Sequence, residues 1–148
     1  GSYNRLGCHE APGVVSWSCQ NRSSLVRVPA AKGDDCRMEL RSPDPSCNPY
    51  VVTTLLLEAG FEGIRDKLTL PPPTNFAVYR PSEAPNLAPL PADLAEAGAA
   101  ARKGDFLPRV LPARLLNDYL AYKQKEAEAY AAEPDPVLYE MEQYFDRI

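Results

Sequence analysis

The alternation from Cys36 to Arg41 limits what this chain can become more than any other stretch. Cys36, Met38 and Leu40 fall on one face of an extended strand, and Arg37, Glu39 and Arg41 on the other, because successive side chains of a strand point to opposite sides. Upstream, Val26 and Val28 alternate with Leu25 and Arg27, and between the arms lies the cluster Lys32-Gly33-Asp34-Asp35, suited to reversing the chain. The stretch Asn21–Tyr50 therefore reads as a β-hairpin. Closed symmetrically about Gly33, it sets Arg27 opposite Glu39 on one face. Any register that keeps the apolar faces together preserves that parity.

This stretch carries four arginines and one glutamate. Arginine keeps its charge and grips phosphate or carboxylate with two parallel donors. The glutamate among them is either a neutralising partner on a solvated face, or a carboxylate that holds magnesium against bound phosphates. Alternation alone leaves both open.

The rest of the chain predicts an α+β fold, strands first and helices after, within one domain of 148 residues. Strands and hairpin occupy 12–42, a core helix 49–67, an irregular proline-rich segment 68–91 and a helical part 93–148. Gly13–Ser18 (GVVSWS) reads as a strand, with Trp17 a core or interface residue. Asn48 is placed to cap the core helix, with Pro49 at its first position. That helix carries Val52, Leu55, Leu56, Ala59 and Ile64 on a face expected to be mostly buried. Pro71–Pro73 ends it, and the segment to Pro91 reads as a surface excursion. Asp93 is expected to cap the next helix. A longer helix at Ala113–Ala132 has an apolar side of Leu115, Leu116, Tyr119 and Tyr122. A last one, Val137–Phe145, follows the breaks at Pro134 and Pro136.

Composition narrows the function. A net charge of −4 argues against general nucleic-acid binding, although local arginine clusters still bind phosphate. No apolar run reaches membrane-spanning length, so no membrane partner is expected. The four cysteines are widely spaced and only His9 accompanies them, which removes a zinc site. Free thiols in a reducing compartment follow, hence a cytoplasmic chain. No signal-peptide pattern appears, and a start inside a motif leaves an upstream segment open.

Several ordered pieces then point to a family. HEAP at His9–Pro12, NRS at Asn21–Ser23, VRVP at Val26–Pro29 and RMELRSPDPSCNPY at Arg37–Tyr50 resemble the catalytic domain of bacterial type I glutamine synthetase. SYNRL at Ser2–Leu6 is similar to the family's SYKRL segment, and the resemblance covers essentially the whole chain. It implies an enzyme that joins ammonium to glutamate through a γ-glutamyl phosphate made from ATP, with magnesium or manganese. Such chemistry needs cations for the transferred phosphoryl charge, shielding of the acyl phosphate from water, and a desolvated ammonium.

By that resemblance Glu39 is a metal ligand, the one this chain supplies, and Arg27 and Arg37 hold ATP phosphates. Arg22 stabilises charge during transfer and lies near both ATP and glutamate. Arg41 and Arg5 bind the carboxylate of glutamate. Glu10 sits on a flap over the intermediate and attracts ammonium, and Lys32 lies near the nucleotide. Two departures matter. The family's PGYEAP is GCHEAP here, one residue shorter from Arg5, which puts His9 at the usual tyrosine position and leaves the acceptor amine open. Tyr79 sits near a tyrosine that some relatives adenylylate, but the surrounding NLYDLP pattern is absent; a surface-loop tyrosine is the plainer reading.

Family members are about three times as long. The resemblance therefore implies the C-terminal part of a catalytic domain, without the N-terminal β-grasp domain and most metal-binding carboxylates. Full-length relatives form a dodecamer of two hexameric rings with sites shared between subunits. The expectation is that these residues alone do not catalyse the synthetase reaction. The alternatives are a γ-glutamyl ligase using another amine, or a non-catalytic module that binds nucleotides or partners.

Overall fold

The computed structural model describes residues 2–145, which divide into two compact units. Ser2–Asp44 joins Asp66–Leu90 in one; Pro45–Arg65 joins the chain from Pro91 onward in the other.

The first unit holds a sheet of three short strands, β1 (Trp17–Cys19), β2 (Val26–Val28) and β3 (Glu39–Leu40), in the order β1-β2-β3. β2 and β3 are antiparallel, with Val26 opposite Leu40 and Arg27 opposite Glu39. This is the register expected from symmetric closure about Gly33. β1, in contrast, runs parallel to β2, so the sheet is mixed. The loop 20–25 carries the chain back from the end of β1 to the start of β2.

β1 also begins later than the GVVSWS pattern predicts. The backbone at 13–15 is occupied elsewhere: Val15 N–H donates to Ala88 O, and Leu90 N–H to Gly13 O. The apolar face of the second hairpin arm is likewise not buried. A 3-10 turn at Gly33–Asp35 leaves only two residues of that arm in the ladder. Met38 is 47% exposed, and Cys36 is exposed, its Sγ 3.4 Å from Ala31 O.

The core of this unit is Val14, Val78 and Ala84, with Leu87 packed against them. Two of the three buried side chains come from the proline-rich segment, which runs mostly over the surface as expected but is anchored in the core at Val78 and Ala84. An irregular chain can be buried only if its backbone polar groups find partners. Proline removes some of that demand by lacking an N–H, and β1 meets part of the rest. Thr74 N–H donates to Trp17 O at 2.9 Å, and Trp17 Nε1 donates to Pro71 O at 2.7 Å.

The second unit is helical. α1 (Pro49–Arg65) starts where expected, with Asn48 Oδ1 accepting from Tyr50 N–H at 3.0 Å and Val51 N–H at 3.2 Å. It is not a core helix. None of its residues is buried, Phe61 is 61% exposed and Ile64 76%, and Ala59 is exposed. Periodicity identifies an apolar face, not what covers it.

α2 (Leu94–Lys103) is capped by Asp93, whose Oδ1 accepts from Glu96 N–H, while Glu96 reaches back to Ala92 N–H. A short α3 (Phe106–Val110), not separated by the sequence pattern, precedes α4 (Ala113–Ala132). The buried line of α4 runs through Leu116 and Leu120, one turn apart. Leu115, Tyr119 and Tyr122 of the expected stripe are exposed. α5 (Pro136–Tyr144) is capped by Asp135 and meets α4 through an edge-to-face contact of Tyr139 with Tyr130. All four cysteines are free thiols. Among the described residues no helix is long and apolar enough to cross a membrane.

Candidate active site

The pairing of β2 with β3 brings Arg27 and Glu39 side by side. Arg27 Nε and Nη2 both lie 2.8 Å from Glu39 Oε2, and Arg37 Nε lies 3.3 Å from Oε1. Both oxygens of the carboxylate are thus engaged. The Arg27 hydrogen bond, reinforced by the charge of Arg37, holds the Glu39 carboxyl below its ordinary value of 4.5. Reciprocally, Glu39 raises Arg27.

A carboxyl lowered by folding contributes stability that is present above its unfolded pKa. That contribution is lost as the pH falls through the folded value, so the window lies below the ordinary 4.5. Between about pH 6 and about pH 3, resistance of this unit to urea should fall more steeply in the native chain than in Glu39→Gln. Equal slopes would show that the pair contributes nothing.

Arg41 follows β3 and is half-buried. Its Nη1 is buried and has no hydrogen-bond partner. Burial, and then the charge of Arg27, push its guanidinium below its ordinary value, with Glu39, Glu10 and Arg22 also within its field. A buried donor left unpaired is costly, and a partly desolvated guanidinium is most simply satisfied by an anion.

Behind it stands Arg5. Its Nη2 lies 2.6 Å from Ser42 O and 3.3 Å from Pro43 O, and its Nη1 3.5 Å from Arg41 O. The fork thus clamps the backbone that carries Arg41, and only the buried Nε lacks a partner.

Glu10 lies on a loop closed by Gly7 N–H donating to Pro12 O at 3.2 Å. Gly7, His9 and Glu10 all have positive φ, at 76°, 46° and 66°. Glycine adopts this region freely, whereas an ordinary side chain there costs about 1–2 kcal/mol. Such strain gathers at functional loops. Glu10 Oε2 meets Arg22 Nη1 at 3.3 Å, with both side chains more than half exposed. His9 is exposed.

Arg22 owes its place to neighbours that the motifs alone do not single out. Asn21 Nδ2 donates to Thr74 O at 3.0 Å and Phe76 O at 2.9 Å. Its Oδ1 accepts from Ser23 N–H and Oγ–H. Ser23 Oγ in turn accepts from Val78 N–H at 3.0 Å. The available signal was an asparagine two residues before a serine, a pairing that closes a side-chain turn.

The structure thus gathers Glu10, Arg22, Arg27, Arg37, Glu39 and Arg41, with Arg5 behind them. Lys32 is exposed beside the turn at Gly33–Asp35. Tyr79 is half-buried, its N–H donating to Glu83 Oε2 at 2.8 Å. A cleft of about 200 Å³ lined by Tyr122, Lys125, Glu126, Tyr139, Gln143 and Tyr144 belongs to the helical unit and includes none of these residues.

Magnesium requires a near-octahedral shell of oxygen ligands. Among the described residues no three His, Cys, Asp or Glu side chains cluster, and Glu39 is occupied by two guanidinium groups. These residues do not by themselves fit a complete metal site; Glu39 is at most one ligand of one.

Residues 1–144 match the family described as glutamine synthetase, catalytic domain. A glutamine synthetase of Methanosarcina mazei is 41% identical over 99% of this chain and 34% of its own length. Those of Methanococcus voltae and Staphylococcus aureus are 40% and 38% identical over 87% of this chain and 30% of theirs. The chain spans about a third of the length of these curated relatives. A solved structure described as "GmaS/ADP complex-Conformation 1" superposes with a TM-score of 0.71 at 25% identity, covering 93% of this chain and 30% of that one.

Proposed function

The chain belongs to the glutamine synthetase family through its catalytic domain, and from that premise we propose that it forms the anion-gripping wall of an ATP-dependent glutamate–ammonia ligase. The observation that carries this reading is Arg41, whose buried Nη1 has no partner although guanidinium groups and carboxylates surround it. Arg41 receives the carboxylate of glutamate, in a subsite that Arg5 shares and braces through the 41–43 backbone.

Arg27 and Arg37 exchange Glu39 for ATP phosphates, with Lys32 toward the rest of the nucleotide. That the similar solved structure is an ADP complex supports nucleotide use. Arg22 stabilises the charge that develops on the transferred phosphoryl group. Glu10, paired with Arg22 at rest, covers the acyl phosphate and draws in ammonium as water is excluded. A divalent ion, magnesium or manganese, would neutralise phosphate charge; Glu39 contributes one ligand, and the others lie outside these residues.

On this reading the full ligase works in the cytoplasm as a dodecamer of two hexameric rings, with neither nucleic acid nor membrane as partner. A ligase of the same family acting on a larger amine is the second reading. It is favoured by the shortened GCHEAP loop with its exposed His9.

The test has two parts. The intact mass of the product of the native gene is measured, and that product and the 148-residue chain are both assayed for glutamine formation with competing amines. The expected result is a product about three times longer that is active and prefers ammonium, beside an inactive 148-residue chain. A native product of this length without activity overturns the ligase and leaves a nucleotide- or partner-binding module.

A further inference from the structure

We propose that the run Thr74–Tyr79 sets Glu10 against Arg22, and that Asn21 is the positioning residue through which it does so. The run is gripped from one side by the loop that carries Arg22. Asn21 holds the carbonyls of Thr74 and Phe76, and Ser23 holds the amide of Val78. From the other side it is gripped by the loop that carries Glu10. The carbonyl oxygen of Tyr79 packs against Gly7 and Gly13, the two glycines that flank that loop, leaving no room for a side chain at either.

Val78 and Tyr79 are consecutive, so the two grips fall on adjacent residues of one backbone run. Thr74 and Val78 are buried, which holds the run itself still. A displacement of the run moves both loops, and their meeting point is the 3.3 Å contact between Glu10 and Arg22. On the Arg22 side the run is held by three hydrogen bonds, two of them from Asn21 and one to Ser23. The catalytic meaning of this device rests on the ligase reading above; the mechanical coupling does not.

Amide exchange followed by NMR on the 148-residue chain tests the coupling without any ligand. Asn21→Asp keeps the oxygen that accepts from Ser23 but loses the donor to Thr74 and Phe76. In it the Ser23 amide should stay protected. The Gly7 and Ala11 amides, which close the Glu10 loop, should exchange roughly tenfold faster, and the Arg22 Nε–H signal should shift. Asn21→Ala should release Ser23 as well.

If Gly7 and Ala11 exchange as in the native chain, Asn21 is a local brace and the proposal fails. Should Asn21→Ala not fold, Ser23→Ala decides. It removes the bond to Val78, and the proposal stands only if Gly7 and Ala11 accelerate. A failed ligase assay leaves this measurement intact, and unchanged exchange leaves the ligase standing.

Discussion

Gly13→Ala is expected to destabilise the sheet-bearing unit by about 3 kcal/mol, the upper end for forcing a methyl group into a packed interior. The backbone at Gly13 does not itself require glycine; the obstacle is steric. A Cβ there collides with the carbonyl oxygen of Tyr79 and comes within 3.2 Å of the Gly7 Cα and the Tyr79 carbonyl carbon. All of these are main-chain atoms, so no side chain can swing aside. The Tyr79 backbone is pinned in turn, since Glu83 accepts from its N–H and Ser23 from the preceding amide.

Gly33→Ala is the control. Gly33 has φ of 61° but open space around it, so only local strain of about 1 kcal/mol is expected. Fluorescence of Trp17, the single tryptophan, reports urea unfolding of this unit alone. A native midpoint in Gly13→Ala would show that the contact with Tyr79 is looser than described.

On the ligase reading proposed above, Arg41→Lys in the complete enzyme is expected to lower kcat/KM for glutamate by about a hundredfold, which is the loss of one desolvated charge-assisted contact. The KM for ATP should change little. Lysine keeps the charge but not the planar fork, so the outcome separates geometry from electrostatics. The same change in the 148-residue chain should leave stability near native, because the group removed is a buried donor without an acceptor. Equal losses for ATP and glutamate would move Arg41 out of the carboxylate subsite. A large loss of stability would make it structural.

What could be read in advance follows physical range. The Arg27–Glu39 pairing was legible because strand parity and the position of the turn decide it within a dozen residues. The caps at Asn48 and Asp93 were legible because a cap acts on amides two or three residues away. The parallel placement of β1 was not, since residues 88–90 take the hydrogen bonds of its upstream half. The burial of Val78 depends on Asn21 and Ser23, some 55 residues earlier, and no local pattern carries that distance.

In the site, the motif resemblance named the charged residues but not their resting contacts. Arg5, read as a substrate ligand, has its fork on backbone carbonyls. Glu39, read as a metal ligand, is held by two arginines. Short-range pattern also marked α1 as apolar without revealing that Phe61 and Ile64 face solvent.

The run from Thr74 to Tyr79 belongs to an irregular proline-rich segment, a kind of segment in which insertions are ordinarily harmless. Here the count of residues matters more than most of their identities. Phe76 is 60% exposed and Ala77 is exposed, so their side chains are free to vary. One added residue, however, would slide every carbonyl and amide after it out of step with Asn21, Ser23 and the two glycines. Tolerance in this stretch is therefore expected for substitution and not for length.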